Sequence, residues 1–236
     1  MPALIWLNPY RADEPFPEAS LSWEEPNGLL AAGGDLSLPR LTNAYREGIF
    51  PWYSEGQPIL WWTPNPRLVL FPDELKISRS LRKSIRNLEY QIRFDSAFAQ
   101  VIRACSDTRA ASGGTWILPE VQMAYLRLHE AGLAHCIEVW RDEQLVGGLY
   151  GVAMGKIFFG ESMFHKVTDA SKIALVYLVA FLKSHQFALI DCQVRSNHLI
   201  SLGAREISRD DFLVQVKKFR DVEAVSDWPR YLPRFP

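Results

Sequence analysis

The sequence predicts an α+β fold in two parts, a small N-terminal domain over residues 1–62 and a larger domain over 63–236. Three observations lead there. The runs HCIEVWR, QLVGGLYGVAM and KIFFGESMF, between residues 135 and 164, are β-rich and separated only by turn-like pieces. A long apolar helix, a strand and a last helix follow them in succession, and meander, helix, strand, helix is an α+β order. Pro58, Pro64, Pro66 and Pro72 cluster where the two parts join. Proline removes a backbone donor and restrains the residue before it, so no helix bridges that stretch and the boundary falls near 62.

Each element has a local reason. Ser37 precedes Pro39 and the pattern Leu41, Ala44, Tyr45, which stops at Gly48. A cap, a first-turn proline and a terminal glycine predict a helix of about three turns. Ile49 to Trp52 leaves it as an extended apolar segment. Ser78 caps a short basic helix over 78–87, Tyr90 to Phe94 alternates as a strand, and Asp95 is placed to cap a helix running to Cys105. Pro119 to Ala131 is a helix stopped by Gly132. Asp169-Ala170-Ser171 opens the long apolar helix to about His185, Ala188 to Val194 is a buried strand, and Ser208 caps a last helix, Arg209 to Phe219.

With 236 residues, 48% of them hydrophobic, the chain can bury a sizeable core and is not a disordered tail. A net charge of −1 gives no molecule-wide field toward nucleic acid or an anionic membrane. The charge is unevenly spread: residues 1–62 hold three basic and eight acidic residues, residues 63–110 nine and five. Between 76 and 93, Lys76, Arg79, Arg82, Lys83, Arg86 and Arg93 face only Glu89. Cys105, Cys136 and Cys192 are an odd number with no CxxC spacing, which predicts neither a disulfide framework nor a zinc cluster and fits a reducing compartment. No charged leader precedes an apolar run, and the longest apolar stretch, 173–182, falls short of the ~20 residues of a membrane span. The expectation is a soluble, cytoplasmic protein. Trp6, Trp23, Trp52, Trp61 and Trp62 crowd the first part, where they suit either a core or stacking on bases.

No GxSxG, HExxH or P-loop occurs, and the five histidines are not at ligand spacing, so neither a metal site nor a nucleophilic triad is predicted. Meander, helix and strand resemble the fold of the GNAT superfamily. A coenzyme A enzyme of that fold carries a glycine-rich pyrophosphate loop before the long helix, whereas here the junction is HKVTDASK. On the strand Ile190-Asp191-Cys192-Gln193, residues two apart share a face, so Asp191 and Gln193 project together and Cys192 oppositely. Taken alone, the pair is explained more simply by an aspartate bonded to a nearby loop. Glu161, a charge among aromatics in FFGESMF, would on a bland reading pair with Lys166 or Lys172. Together, Glu161 and Asp191 could hold an ammonium group or steer its proton during attack on a carbonyl.

The motifs EPNGLLAAGGDLS (25–37), AYREGIFPWYS (44–54), ILWWTPNPRLVL (59–70), GTWI (114–117), LVGGLYGVAMGKIFFGESMF (145–164), DASKIAL (169–175) and LIDCQV (189–194) closely resemble the leucyl/phenylalanyl-tRNA protein transferase family. The resemblance covers about residues 22–215. It implies a GNAT-like C-terminal domain and transfer of Leu or Phe, less well Met, from aminoacyl-tRNA to the α-amino group of proteins beginning with Arg or Lys. This marks them for degradation in the bacterial N-end rule pathway. No metal, nucleotide or coenzyme A is implied, no membrane partner, and the chain is read as a monomer. By motif, Asp191, Gln193 and Glu161 match the catalytic group, with Asp191 as the carboxylate that orients the amine and takes up charge, and Gln193 relaying or orienting. Trp52 and Trp116 match the residues that hold the terminal adenosine, with Tyr45 and Tyr125 near the same 3′ end. Leu149, Phe158, Leu175, Leu178 and Ile190 match the side-chain pocket, although Leu149 and Leu178 stand where Met and Phe are expected. Arg79, Arg82, Lys83 and Arg86 match the patch that grips the acceptor stem. Two other classes compete with this reading: a coenzyme A-dependent N-acyltransferase, and a non-catalytic RNA-binding module built on the Trp-rich segment and the basic helix.

Overall fold

Short apolar runs flanked by turn residues build the N-terminal part. The computed structural model describes residues 3–229 other than 88 and 112. Strands β1 (Ile5–Leu7), β2 (Leu29–Gly33), β3 (Phe50–Pro51) and β4 (Leu60–Trp62) form one sheet in the order β1-β2-β4-β3. Helix α1 (Leu38–Arg46) links β2 to β3. The predicted cap is present: the Ser37 hydroxyl accepts from the Arg40 amide, and Gly48 ends the helix at φ +68°. Arg40 is fully buried on the same helix and donates to the carbonyls of Asn8 and Glu14 at 3.0 and 3.1 Å. It therefore ties the N-terminal segment down rather than facing water.

The second sheet contains β5 (Arg67–Leu70), β6 (Gln91–Phe94), β7 (Ala134–Arg141), β8 (Gln144–Met154), β9 (Ile157–His165), β10 (Leu189–Gln193) and β11 (Arg205–Ile207). Their order is β11-β5-β10-β9-β8-β7-β6. All neighbours are antiparallel except β9 and β10, which run parallel across the crossover helix α5 (Ala170–Ser184). Three antiparallel strands, a long helix and a parallel strand are the GNAT-like order predicted from the sequence, and the whole chain is α+β. The other helices are α2 (Arg79–Asn87), α3 (Phe98–Ala110), α4 (Pro119–Glu130), α6 (Asn197–Ser201) and α7 (Arg209–Phe219). Among the described residues, no helix is long and apolar enough to cross a membrane.

Two cores lie on opposite faces of the large sheet. One gathers Tyr45, Phe98, Tyr125, Tyr150 and Phe212 from α1, α3, α4, β8 and α7. The other packs Phe158 of β9 and Ile190 of β10 against Leu175 and Leu178 of α5, which is apolar nearly all round because it is covered nearly all round. Two expectations need correction. The helix after Asp95 begins at Phe98 and runs to Ala110, beyond Cys105. Asp95 does not cap it. At φ +53° it accepts instead from the Cys136 amide and meets His135 Nδ1, each at 2.7 Å. The entry to α3 is satisfied from another strand: the buried carboxylate of Glu138 accepts the Ser96 and Ala97 amides at 2.8 and 2.7 Å. A capping residue remote in sequence leaves no local signal. The proline cluster, for its part, lies between and beside β4 and β5, two short strands that the chain pattern does not announce.

Gly147 on β8 sets how closely α5 lies on the sheet, because a Cβ there would stand 2.5 Å from Ala170 Cβ. Gly147→Ala is expected to destabilise the protein by about 1–3 kcal/mol, measured by urea denaturation, since the backbone must move to admit the methyl.

Candidate active site

Four elements converge on one carboxylate. Glu161 projects from β9 with 5% of its surface exposed. Its Oε1 accepts from the Tyr45 hydroxyl of α1 at 2.8 Å and from Gln193 Nε2 of β10 at 3.0 Å, and its Oε2 from the Tyr125 hydroxyl of α4 at 2.9 Å. The two tyrosine hydroxyls also bond each other. Burial raises the Glu161 carboxyl to about 7. The tyrosine donors oppose that rise, the Asp191 charge adds to it and the Arg67 charge opposes it. Burial and then the Glu161 charge hold both tyrosines far above their ordinary value, so they remain donors. The expected lysine partners are not there: Lys172 Nζ lies 2.8 Å from Asp169.

Asp191 is held differently. Arg67 Nε donates to its Oδ1 at 2.8 Å and Arg67 Nη2 to its Oδ2 at 2.6 Å, and neither side chain has exposed surface. The guanidinium lies between Phe50 and Phe212, 4.8 and 4.5 Å from the ring centroids. Asp191 Oδ1 also accepts the Gln193 amide at 2.9 Å, where the register of β10 shifts and Gln193 takes φ +63°. The fork of Arg67 thus fixes Asp191, and Asp191 fixes the turn that delivers the Gln193 amide group to Glu161. As strand alternation requires, Cys192 packs against the opposite core.

Two cavities meet at this carboxylate. The first, of about 730 Å³, is walled by Trp52, Trp116, Glu55 and the glycine pair Gly113-Gly114. The second, of about 350 Å³, is lined by Leu149, Phe158, Leu175, Leu178 and Ile190, with Met163. Arg109, Glu161, Gln193 and Val194 belong to both walls. Trp52 is 44% exposed beside Trp62, a free aromatic face at the cleft. Among the described residues no three His, Cys, Asp or Glu side chains are gathered as metal ligands.

A family model described as leucyl/phenylalanyl-tRNA protein transferase matches residues 69–217, and the model of that transferase's N-terminal domain matches residues 34–65. This chain belongs to the leucyl/phenylalanyl-tRNA protein transferase family. Proteins of that name from Chromobacterium violaceum and Methylococcus capsulatus are 58% and 53% identical to it. The first matches over 90% of both chains and the second over 98% of both. Among solved structures, an aminoglycoside acetyltransferase from an uncultured soil metagenomic sample is similar at 14% identity and TM-score 0.38, over 61% of this chain and 97% of that one.

Within the family frame, the residues singled out from the sequence divide into four groups. Glu161, Asp191 and Gln193 are brought together, and so are all five apolar pocket positions. Trp52 and Trp116 share the larger cleft. Tyr45 and Tyr125 do not line either cleft: both are fully buried and reach the site only through Glu161. On α2, Arg79, Arg82, Lys83 and Arg86 are exposed with no ion-pair partner among the described residues, whereas Arg93 turns to Glu143 and the Trp140 ring. Sequence reasoning missed Arg67 and Arg109. The first carried one signal, a charge opening the apolar run RLVL; the second, on a polar stretch of helix, carried none.

The buried pair supplies a test. Arg67→Met leaves the Asp191 charge unpaired and is expected to cost about 3–5 kcal/mol in chemical denaturation. Adding Asp191→Leu to that variant is expected to recover most of the loss, because the coupled charges then disappear together.

Proposed function

We propose that this chain transfers Leu or Phe, and less well Met, from the 3′ ester of an aminoacyl-tRNA to the α-amino group of a protein beginning with Arg or Lys. On this reading it acts as a cytoplasmic monomer of the bacterial N-end rule pathway and needs no metal, nucleotide or coenzyme A. The observation that carries the reading is the junction of an aromatic cleft and an apolar pocket at one buried carboxylate. The relatives' name supplies the donor and the two amino acids.

The donor is assigned by chemistry to the two cavities. The terminal adenosine lies in the larger cleft against Trp52 and Trp116, where stacking on an aromatic is worth about 1–3 kcal/mol. The amino-acid side chain enters the apolar pocket, which separates side chains by about 1–3 kcal/mol per methylene and so discriminates only partly. The ester then sits at the junction, beside Glu161 and Gln193. Residues 1–62 form the domain that contributes Trp52 and Tyr45, and 63–236 the catalytic domain. Arg79, Arg82, Lys83 and Arg86 meet the acceptor stem through phosphates, which positions the RNA without reading its sequence.

Roles follow from the hydrogen bonds. An attacking amine must be uncharged and must lose a second proton as the new bond forms. Glu161, raised to about 7, is matched to accept that proton near neutrality, while Gln193 orients the nitrogen. Asp191 has both oxygens engaged by Arg67 and serves as a positioning residue rather than as the base. Since the ester is already activated, holding amine and carbonyl together supplies much of the acceleration.

Incubating the protein with labelled Phe-tRNA and an acceptor protein with N-terminal Arg is expected to place label in the acceptor; no transfer from charged tRNA overturns the reading. Activity should fall as pH drops below about 7, because protonated Glu161 accepts nothing. The same group affects stability with a definite sign. The folded protein keeps a proton up to about 7 that the unfolded chain releases near 4.5, so this contribution favours folding at low pH and is lost as pH rises through that window. Glu161→Gln removes the buried charge. It is expected to lower kcat by about 10²–10⁴-fold while leaving Tm at pH 8 no lower than that of the parent protein.

A further inference from the structure

Arg109, in the last turn of α3, is the one lysine or arginine among the described residues lining either cavity, and it lines both. Its Nε donates to the Ser162 hydroxyl at 2.9 Å, next in sequence to Glu161, and its guanidinium lies 6.0 Å from the Trp116 ring. No carboxylate among the described residues is within ion-pair distance of it. Glu161 takes its hydrogen bonds from Tyr45, Tyr125 and Gln193 instead. The cation is therefore tethered at the junction of the two cavities with its charge unspent.

We propose that Arg109 is a catalytic residue that stabilises the negative charge developing on the ester carbonyl oxygen. The inference rests on the reading above, in which that ester lies where the cavities meet. The amine lone pair forms the N–C bond, and the carbonyl π electrons move to oxygen as an oxyanion. The oxyanion then collapses, the C–O bond to the ribose breaks, and the ribose oxygen leaves as a hydroxyl carrying the proton that nitrogen gave up through Glu161. Glu161 handles the proton in this sequence. The oxyanion needs a separate partner of opposite sign, held in place before the reaction starts so that nothing has to reorganise. A guanidinium fixed through Nε to Ser162 leaves its Nη groups for that oxygen, with planar donors that keep their charge at all working pH. Ser162 is the positioning residue for Arg109.

The alternative ligand of such a cation is the phosphate that precedes the terminal adenosine, and two donors separate them: Phe-tRNA, and phenylalanyl-adenosine, which has no phosphate. With the full chain, Arg109→Gln is expected to lower kcat by about 10²–10³-fold with both donors while KM changes little, and Arg109→Lys is expected to restore part of that loss. Ser162→Ala, which removes only the tether, is expected to lower kcat several-fold with both donors at unchanged KM. A loss confined to KM for Phe-tRNA, with phenylalanyl-adenosine unaffected, overturns the proposal in favour of phosphate binding. So does an unchanged kcat in a folded Arg109→Gln protein or, if that variant does not fold, in Ser162→Ala. Failure of the parent protein to use either donor would instead refute the reading of the site itself.

Discussion

Arg67 and Asp191 are two full charges with no exposed side-chain surface, and much of the molecule is arranged around satisfying them. Such a pair is costly to desolvate and is tolerated only where geometry and neighbouring groups are good. Here the fork is bidentate, aromatic rings lie against the guanidinium, and the remaining capacity of Oδ1 is taken by the Gln193 amide. The rings come from β3 of the first sheet and from α7, the charges from β5 and β10 of the second. One ion pair thus joins both sheets and fixes the bulge that aims Gln193.

Glu161 illustrates the opposite use of burial. Among the described residues it has no cation in hydrogen-bond contact, only neutral donors, and burial outweighs them, so its proton affinity rises toward neutrality instead of falling. Two carboxylates on adjacent strands are therefore driven apart in behaviour by their partners: one is committed to architecture, the other is left able to exchange a proton. The neighbouring junction of β9 and α5 is occupied by a carboxylate as well. Asp169 stands there in the left-handed conformation, bonded to Ser84 of α2 and to Lys172. That carboxylate ties the basic helix α2 to the start of α5.

Much of this was legible in the chain because the signals are local. Ser37, Ser78 and Ser208 each accept the backbone amide their spacing predicts, and the meander and α5 follow from their apolar runs. Glu161 and Asp191 stood out as charges that apolar strands do not explain. What the sequence could not show are partners far along the chain: Tyr45 is 116 residues from the Glu161 it donates to, and Arg67 is 124 from Asp191. Arg40 looks like a surface residue on a helix and is buried because three loop carbonyls surround it. Glu138, not the adjacent Asp95, serves the start of α3 for the same reason. Side chains with local work to do are readable; those whose work depends on which strand lies next to which are not.

The hydroxyl of Tyr45 reaching Glu161 has a consequence for modularity. A helix of the first sheet supplies one of the donors that allow a carboxylate to sit in the core of the second part of the chain. The GNAT-like portion is for that reason not a self-sufficient cassette. Grafted onto another N-terminal unit, it would carry a buried acid short of a donor and an arginine stripped of one of its aromatic neighbours. Around Glu161 the two parts of the chain form one packed unit.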